Sequence, residues 1–168
     1  MQINCDNIIL WRHAEAVLAN DGSLQSDMAR ALTPKGQRQA KRIARWLKPH
    51  LPENSLLLSS AALRAFQTAQ ALNNSKCTHI NVQSALNPTA SLREILDCLA
   101  SFSSKSNLLL VGHQPLLGRI AGHLLGLQVS DLNIKKGAIW WLRLESNPTN
   151  LNQPTRYEIV SVQTPSLV

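Results

Sequence analysis

Ile8-Ile9-Leu10-Trp11-Arg12-His13 decides how the rest of the chain reads. Four apolar residues in succession, continuing a shorter run from Ile3, suit a strand buried on both faces, and the run stops at two basic side chains. The layout returns twice. Leu56-Leu57-Leu58-Ser59-Ser60 is followed by Arg64 in the first turn of a helical pattern, and Leu109-Leu110-Val111 runs into Gly112-His113. In an open α/β sheet, ligands bind outside the carboxyl ends of the strands. As parallel neighbours, these three strands would gather Arg12, His13, Arg64 and His113 at one edge, where helix N-termini add N–H donors for an anion.

The intervening segments fit that frame. Ile3–Trp11 reads as the first strand and Ala14–Leu32 as a loop with a turn at Asn20-Asp21-Gly22-Ser23. Thr33-Pro34 opens a helix, with Thr as N-cap and Pro in the first helical position. Its apolar face is Ala40, Ile43, Ala44 and Leu47, and Pro49 or Pro52 ends it. Ser55–Leu58 and Asn107–Val111 read as buried strands and Ile80–Gln83 as a short one. Ala61–Leu72, Ser91–Phe102 and Leu116–Leu125 carry helical spacing. Lys136–Leu144 and Arg156–Val162 read as two late strands in an antiparallel hairpin, joined by a polar loop. The expected fold is α/β: a three-layer sandwich with a mostly parallel central sheet, helices on both faces and an antiparallel edge near the C-terminus.

The composition suits this. The chain has 168 residues, 44% of them hydrophobic and 16% charged, which excludes a disordered or fibrous protein and suits one domain. Seventeen Lys and Arg against ten Asp and Glu leave a net charge of +7, which favours anionic partners. Aromatics at 4% argue against reading nucleic-acid bases by stacking. Cys5, Cys77 and Cys98 form no CxxC, so they read as buried small residues of a reducing compartment. No apolar run approaches the ~18 residues of a membrane span, and the expected location is the cytoplasm. Lys35, Arg38, Lys41, Arg42, Arg45 and Lys48 share one helix with no acidic residue, which reads as a solvated face or a docking surface. Trp140-Trp141 should be core on one side and a partly exposed cover on the other. His50, His79 and His123 read as surface residues, Glu15 as a loop carboxylate, and Glu94 as a helix-surface charge and the nearest alternative acid.

Two guanidiniums and two imidazoles form an anion pocket in which Arg grips oxygens bidentately and His can act as nucleophile or proton donor. No metal-ligand spacing accompanies them, so no cofactor is expected. Four blocks in order then resemble the histidine phosphatase (phosphoglycerate mutase-like) superfamily. They are Arg12-His13-Ala14-Glu15-Ala16, Leu32-Thr33-Pro34-Lys35-Gly36-Gln37-Arg38-Gln39-Ala40, Ser59 to Ala69 with Arg64 inside it, and Gly112-His113-Gln114-Pro115. Leu86-Asn87-Pro88 and the short length resemble its SixA group of phosphohistidine phosphatases. The resemblance implies a single catalytic domain over residues 1–168. It implies His13 as nucleophile, Arg12 and Arg64 as phosphate clamps and His113 as a second pocket histidine. Arg30 matches an arginine before the LT motif and adds a phosphate contact, with Ser59 and Gln114 as lesser contributors. Larger relatives that cleave sugar phosphates carry an acidic residue after the third strand, where this chain has Ala85-Leu86-Asn87-Pro88-Thr89-Ala90-Ser91. Imidazole, whose conjugate acid has a pKa near ~6.5, leaves phosphorus with little acid assistance, so the missing acid suits P–N cleavage. The expected activity is a metal-independent phosphatase acting on a histidine-phosphorylated protein, such as a phosphotransfer domain. The alternatives are a phosphatase of small phosphomonoesters and a non-catalytic module binding phosphoanions or nucleic acid. The chain carries no recognised nucleic-acid motif, and neither nucleic acid nor membrane is an expected partner.

Overall fold

The structure is a computed structural model describing residues 3–19, 21–72, 79–102, 105–127, 132–145 and 156–168. The strands are β1 (Asn7–Arg12), β2 (Ser55–Ser59), β3 (Ile80–Val82), β4 (Asn107–Gly112), β5 (Ile139–Leu144) and β6 (Tyr157–Gln163). The helices are α1 (Leu24–Met28), α2 (Pro34–His50), α3 (Leu63–Gln70), α4 (Leu92–Ala100) and α5 (Leu116–Leu124), with a 3-10 turn at Ser84–Leu86. Among the described residues the strands form one sheet in the order β3-β2-β4-β1-β5-β6. β3, β2, β4 and β1 are parallel, and β5 and β6 add antiparallel strands beyond β1.

Side-chain alternation along the strands builds two cores. Ile9, Trp11, Leu57, Leu109 and Val111 point to the face covered by Ile43, Ala44 and Leu47 of α2 and Ala65 and Ala69 of α3. Ile8, Leu10, Leu58, Leu108 and Leu110 point to the other face, under Ile95 and Leu99 of α4 and Leu117, Ile120 and Ala121 of α5. Helices therefore cover both faces, as the doubly apolar strands require. The adjacency that matters is β2-β4-β1: Ser59 is in register with Val111, and Arg12 with Gly112. Three strand ends stop at one level, side by side.

Several boundaries differ from expectation for local reasons. β1 begins at Asn7 because the carbonyls of Ile3 and Cys5 accept hydrogen bonds from the Tyr157 hydroxyl instead of joining the ladder. β5 begins at Ile139 because Gly137, at φ 75°, turns its N–H toward the carbonyls of Arg12 and His13. The expected loop 14–32 contains α1, capped by Ser23, and an isolated bridge between Ala16 and Leu32. α1 buries no side chain, so no apolar period announces it. Thr33 caps α2 as expected by accepting from Gly36 N–H, and the helix passes Pro49 and ends before Pro52. Trp141 is buried and Trp140 half-buried, matching the alternation. The six basic side chains of α2 are exposed, with Lys35 paired to Glu15 at 2.9 Å. Cys5 is buried and Cys98 half-buried, while Cys77 and most of the polar loop before β6 lie outside the described residues.

Candidate active site

β1 delivers the first two basic groups. His13 follows the strand, and its N–H is held by the Gly112 carbonyl at the end of β4. Its ring is 6% exposed. Nδ1 lies 2.7 Å from the Ala14 carbonyl, which can only accept, so the proton sits on Nδ1 and Nε2 keeps a free lone pair. Burial, followed by the positive fields of Arg64, Arg12 and Arg30, pushes the His13 pKa down to about 4, against the Ala14 bond that raises it. The result is a neutral imidazole whose Nε2 carries no proton. Arg12 spends Nη1 on the Ile134 carbonyl at 2.7 Å, while its Nε–H is buried without a partner.

The segment after His13 is clamped from both sides. Ala14 N–H donates to Thr68 Oγ1, and that hydroxyl donates to the Arg64 carbonyl, so α3 fixes the loop that carries His13. On the other side α2 presses so close that a Cβ on Gly36 would sit 1.9 Å from the Glu15 carbonyl oxygen. Only glycine permits that approach.

Arg64, in the first turn of α3, is 3% exposed. Nη2 donates to Asp27 Oδ2 at 2.9 Å, Nη1 donates to the Asp27 carbonyl, and Nε is buried and unpartnered. The second Asp27 oxygen accepts from Arg30 Nη1 at 2.8 Å, and Arg30 Nε donates to the Val17 carbonyl. One carboxylate on α1 thus bridges two arginines. Desolvation works to raise the Asp27 pKa, but the bonds from Arg30 and Arg64 outweigh it and hold the group ionised.

β4 delivers His113, 3% exposed, its ring centroid 5.0 Å from that of His13 at an interplanar angle of 52°. Burial, then the neighbouring His13 and Arg64, lowers its pKa to about 2. Nε2 is 2.9 Å from Ser60 Oγ, and Nδ1 is buried without a partner. Arg12, His13, Arg64 and His113 therefore come together as the sequence predicted, with Arg30 linked to them through Asp27. Three unpartnered nitrogens, on Arg12, Arg64 and His113, remain inside this group. Two of these, the Nε–H groups of Arg12 and Arg64, are donors suited to the oxygens of an anion.

The remaining candidates are placed differently. Ser59 turns its hydroxyl to the Ser60 carbonyl, and Ser60, one residue further, touches His113. Both ends of the Gln114 amide are taken by backbone, Nε2 by Leu132 and Oε1 by Gly118, in the turn that holds the cis Gln114–Pro115 bond. Glu94 is exposed and closes a capping box with Ser91. Glu15 bonds Lys35 and Thr33. His50, His79 and His123 are exposed. Asp27, Ser60, Thr68 and Asn87 are not among the expected site residues; Ser60, Thr68 and Asn87 lie inside the family-like blocks, and Asp27 carries its own signal as an i,i+3 ion pair with Arg30. Among the described residues no group of three His, Cys, Asp or Glu is placed to hold a metal ion.

Known proteins resemble this chain in sequence and in fold. Residues 8–91, which include His13, Arg30 and Arg64, match the histidine phosphatase superfamily (branch 1). Over 132 residues the chain is 33% identical to the phosphohistidine phosphatase SixA homolog of Haemophilus influenzae, covering 71% of this chain and 77% of that protein. A crystal structure of a candidate phosphohistidine phosphatase SixA from Agrobacterium tumefaciens has a TM-score of 0.77 at 22% identity, covering 96% of this chain and 99% of that one. The protein histidine phosphatase SixA complexed with tungstate has a TM-score of 0.74 at 22% identity, covering 95% and 97%. The chain belongs to branch 1 of the histidine phosphatase superfamily.

Proposed function

We propose that the protein is a metal-independent phosphatase of protein phosphohistidine, with His13 as its nucleophile. The observation that carries this reading is the neutral His13, its Nε2 free and set among Arg12, Arg64 and Arg30. Nε2 attacks phosphorus, the bond from phosphorus to the substrate's ring nitrogen breaks with its electron pair staying on that ring, which carries a proton on its other nitrogen and so leaves as neutral imidazole, and the phosphoryl group is carried on His13. Arg12 Nε–H and Arg64 Nε–H, otherwise unpartnered, donate to its oxygens as charge develops on them. Water then attacks the phosphohistidine, the new P–N bond breaks, and inorganic phosphate leaves. Tungstate, bound by a SixA relative, is a tetrahedral oxyanion like phosphate.

The leaving group favours phosphohistidine over alkyl phosphates. From Ser84 to Ser91 the chain has no carboxylate, and Glu94 is occupied in its capping box. An alkoxide needs a placed acid, worth roughly 10²–10⁴ in rate, whereas imidazole does not. The test is a panel of a phosphohistidine protein, sugar phosphates and p-nitrophenyl phosphate, each with and without chelator, joined to a rapid quench that traps the phosphoenzyme. Turnover of the phosphohistidine protein with chelator present, and acid-labile phosphate mapped to His13, are expected. Phosphate on another residue, or loss of activity restored only by a divalent ion, refutes the reading.

A further inference from the structure

The proton on His113 can be located from its neighbours. Ala61 N–H donates to Asn87 Oδ1 at 2.9 Å, which fixes the orientation of the amide, since the flipped group would set two donors against each other. Ser60 Oγ lies 3.0 Å from the same Oδ1. Asn87 Oδ1 has no hydrogen to give, so the single Ser60 hydroxyl hydrogen points at it. Ser60 Oγ also accepts from Ala62 N–H at 3.1 Å. Its contact with His113 Nε2 at 2.9 Å therefore requires the hydrogen to come from the histidine. The three links leave one assignment: Nε2 carries the proton and Nδ1 is a bare lone pair, buried and unpartnered.

We propose that Asn87 and Ser60 are positioning residues that lock His113 in the Nε2–H tautomer, making Nδ1 the atom that takes a proton from the bound phosphoryl group. A fully deprotonated phosphoryl oxygen would meet the lone pair of Nδ1 and be repelled. An oxygen that still carries its proton donates it instead. The O–H bond breaks as the Nδ1–H bond forms, leaving a more negative phosphoryl group beside an imidazolium, and no other bond changes. When inorganic phosphate departs, the proton returns to it and His113 is neutral again. Burial beside Arg12 and Arg64 keeps the empty pocket's imidazole neutral, so the proton arrives with the ligand. The assignment deepens the phosphatase reading, because it rests on His113 touching the phosphoryl group.

Long-range 1H–15N NMR correlation on the ¹⁵N-labelled full chain tests it, with His113→Gln identifying the signal. The unliganded protein is expected to show Nε2–H with bare Nδ1, and Nδ1 should become protonated on saturation with inorganic phosphate. Asn87→Ala frees the Ser60 hydrogen to turn toward Nε2. It should shift His113 toward the Nδ1–H tautomer and lower kcat at least ~10-fold, on the scale that tautomer-setting partners of catalytic histidines carry. Asn87→Asp, which keeps an acceptor in place, should restore the Nε2–H tautomer. An Nδ1–H signal in the unliganded wild type overturns the proposal without any variant. So does an Nδ1 that stays bare with phosphate bound, or Asn87→Ala with unchanged tautomer and kcat. Failure of the phosphatase reading looks different: the tautomer and its response to phosphate stand as assigned while no phosphohistidine protein is turned over and no phosphate is trapped on His13.

Discussion

Holding two neutral histidines in contact among arginines makes folding stability depend on pH in a window that carboxylates do not reach. The ordinary histidine pKa is about 6.5, while His13 and His113 are pushed down to about 4 and about 2, first by burial. Below 6.5 the unfolded chain binds two protons that the native site refuses. Stability is thus fully present above 6.5 and falls as pH is lowered toward the native values. Between pH 7 and pH 5 each histidine removes about 2 kcal/mol, and the pair between 3 and 4 kcal/mol, roughly. That is a large part of the ~5–15 kcal/mol that keeps a domain folded. Asp27 does not contribute in this window, because its lowered pKa costs stability only as pH falls below its ordinary value of 3.8. Urea denaturation at pH 7, 6 and 5, in buffers free of phosphate and sulfate, reads the effect. His13→Gln and His113→Gln should each remove about half of the pH dependence, and the double variant nearly all of it. A wild type that loses less than about 1 kcal/mol over that range, or a double variant as pH-sensitive as wild type, refutes the reasoning.

Asp27→Asn removes the carboxylate that bridges Arg64 and Arg30. It should lower stability by about 1–3 kcal/mol, less than a fully buried pair because Asp27 is partly exposed, and should tighten tungstate binding by removing a negative charge from the clamp. Thermal melts with and without tungstate check this, and unchanged affinity would contradict it. Gly36→Ala drives a methyl against the Glu15 carbonyl and should cost about 1–3 kcal/mol together with activity, since that segment carries His13. Wild-type melts and rates would show the contact to be yielding. Across aryl phosphates, log kcat/KM should fall steeply as the leaving-group pKa rises; a flat series would mean that some group supplies the proton.

What could be read from the sequence followed from chemistry that is local in the chain. Leu109-Leu110-Val111 and Ile8-Ile9-Leu10 are apolar on both sides, which only a covered parallel strand explains, and the basic residues after them then had to meet at one edge. Thr33-Pro34 announced α2 because capping acts within three residues. Asp27 escaped because its partner Arg64 lies 37 residues away and the helix carrying it buries nothing. Ser59 was the expected contributor, but Ser60 is the residue that touches His113, because which hydroxyl reaches it depends on where β2 ends, and it ends at Ser59. Asn87 was legible as part of a family pattern, but its effect on a tautomer depends on three contacts, to Ala61, Ser60 and His113, that no spacing reveals.

The placement of charge suits the proposed binding of an oxyanion. Arg30 and Arg64 share one carboxylate, Asp27, and Arg12 has no carboxylate partner among the described residues, so the group carries a positive excess with Arg12 Nε and Arg64 Nε unpartnered. Burial lowers both the Arg12 and Arg64 pKa values, the sign of cations held against a desolvation cost. A tetrahedral oxyanion would relieve that cost by giving each orphaned donor an acceptor, and in the proposed reaction that gain is greatest in the charge-rich transition state of phosphoryl transfer. Asp27 limits the gain. Its carboxylate already satisfies Arg64 Nη2 and Arg30 Nη1, so phosphate does not gain the full attraction of three bare guanidiniums. A clamp with no such competitor would bind inorganic phosphate, the product, as tightly as the substrate, and interactions that favour ground and transition states equally do not accelerate turnover.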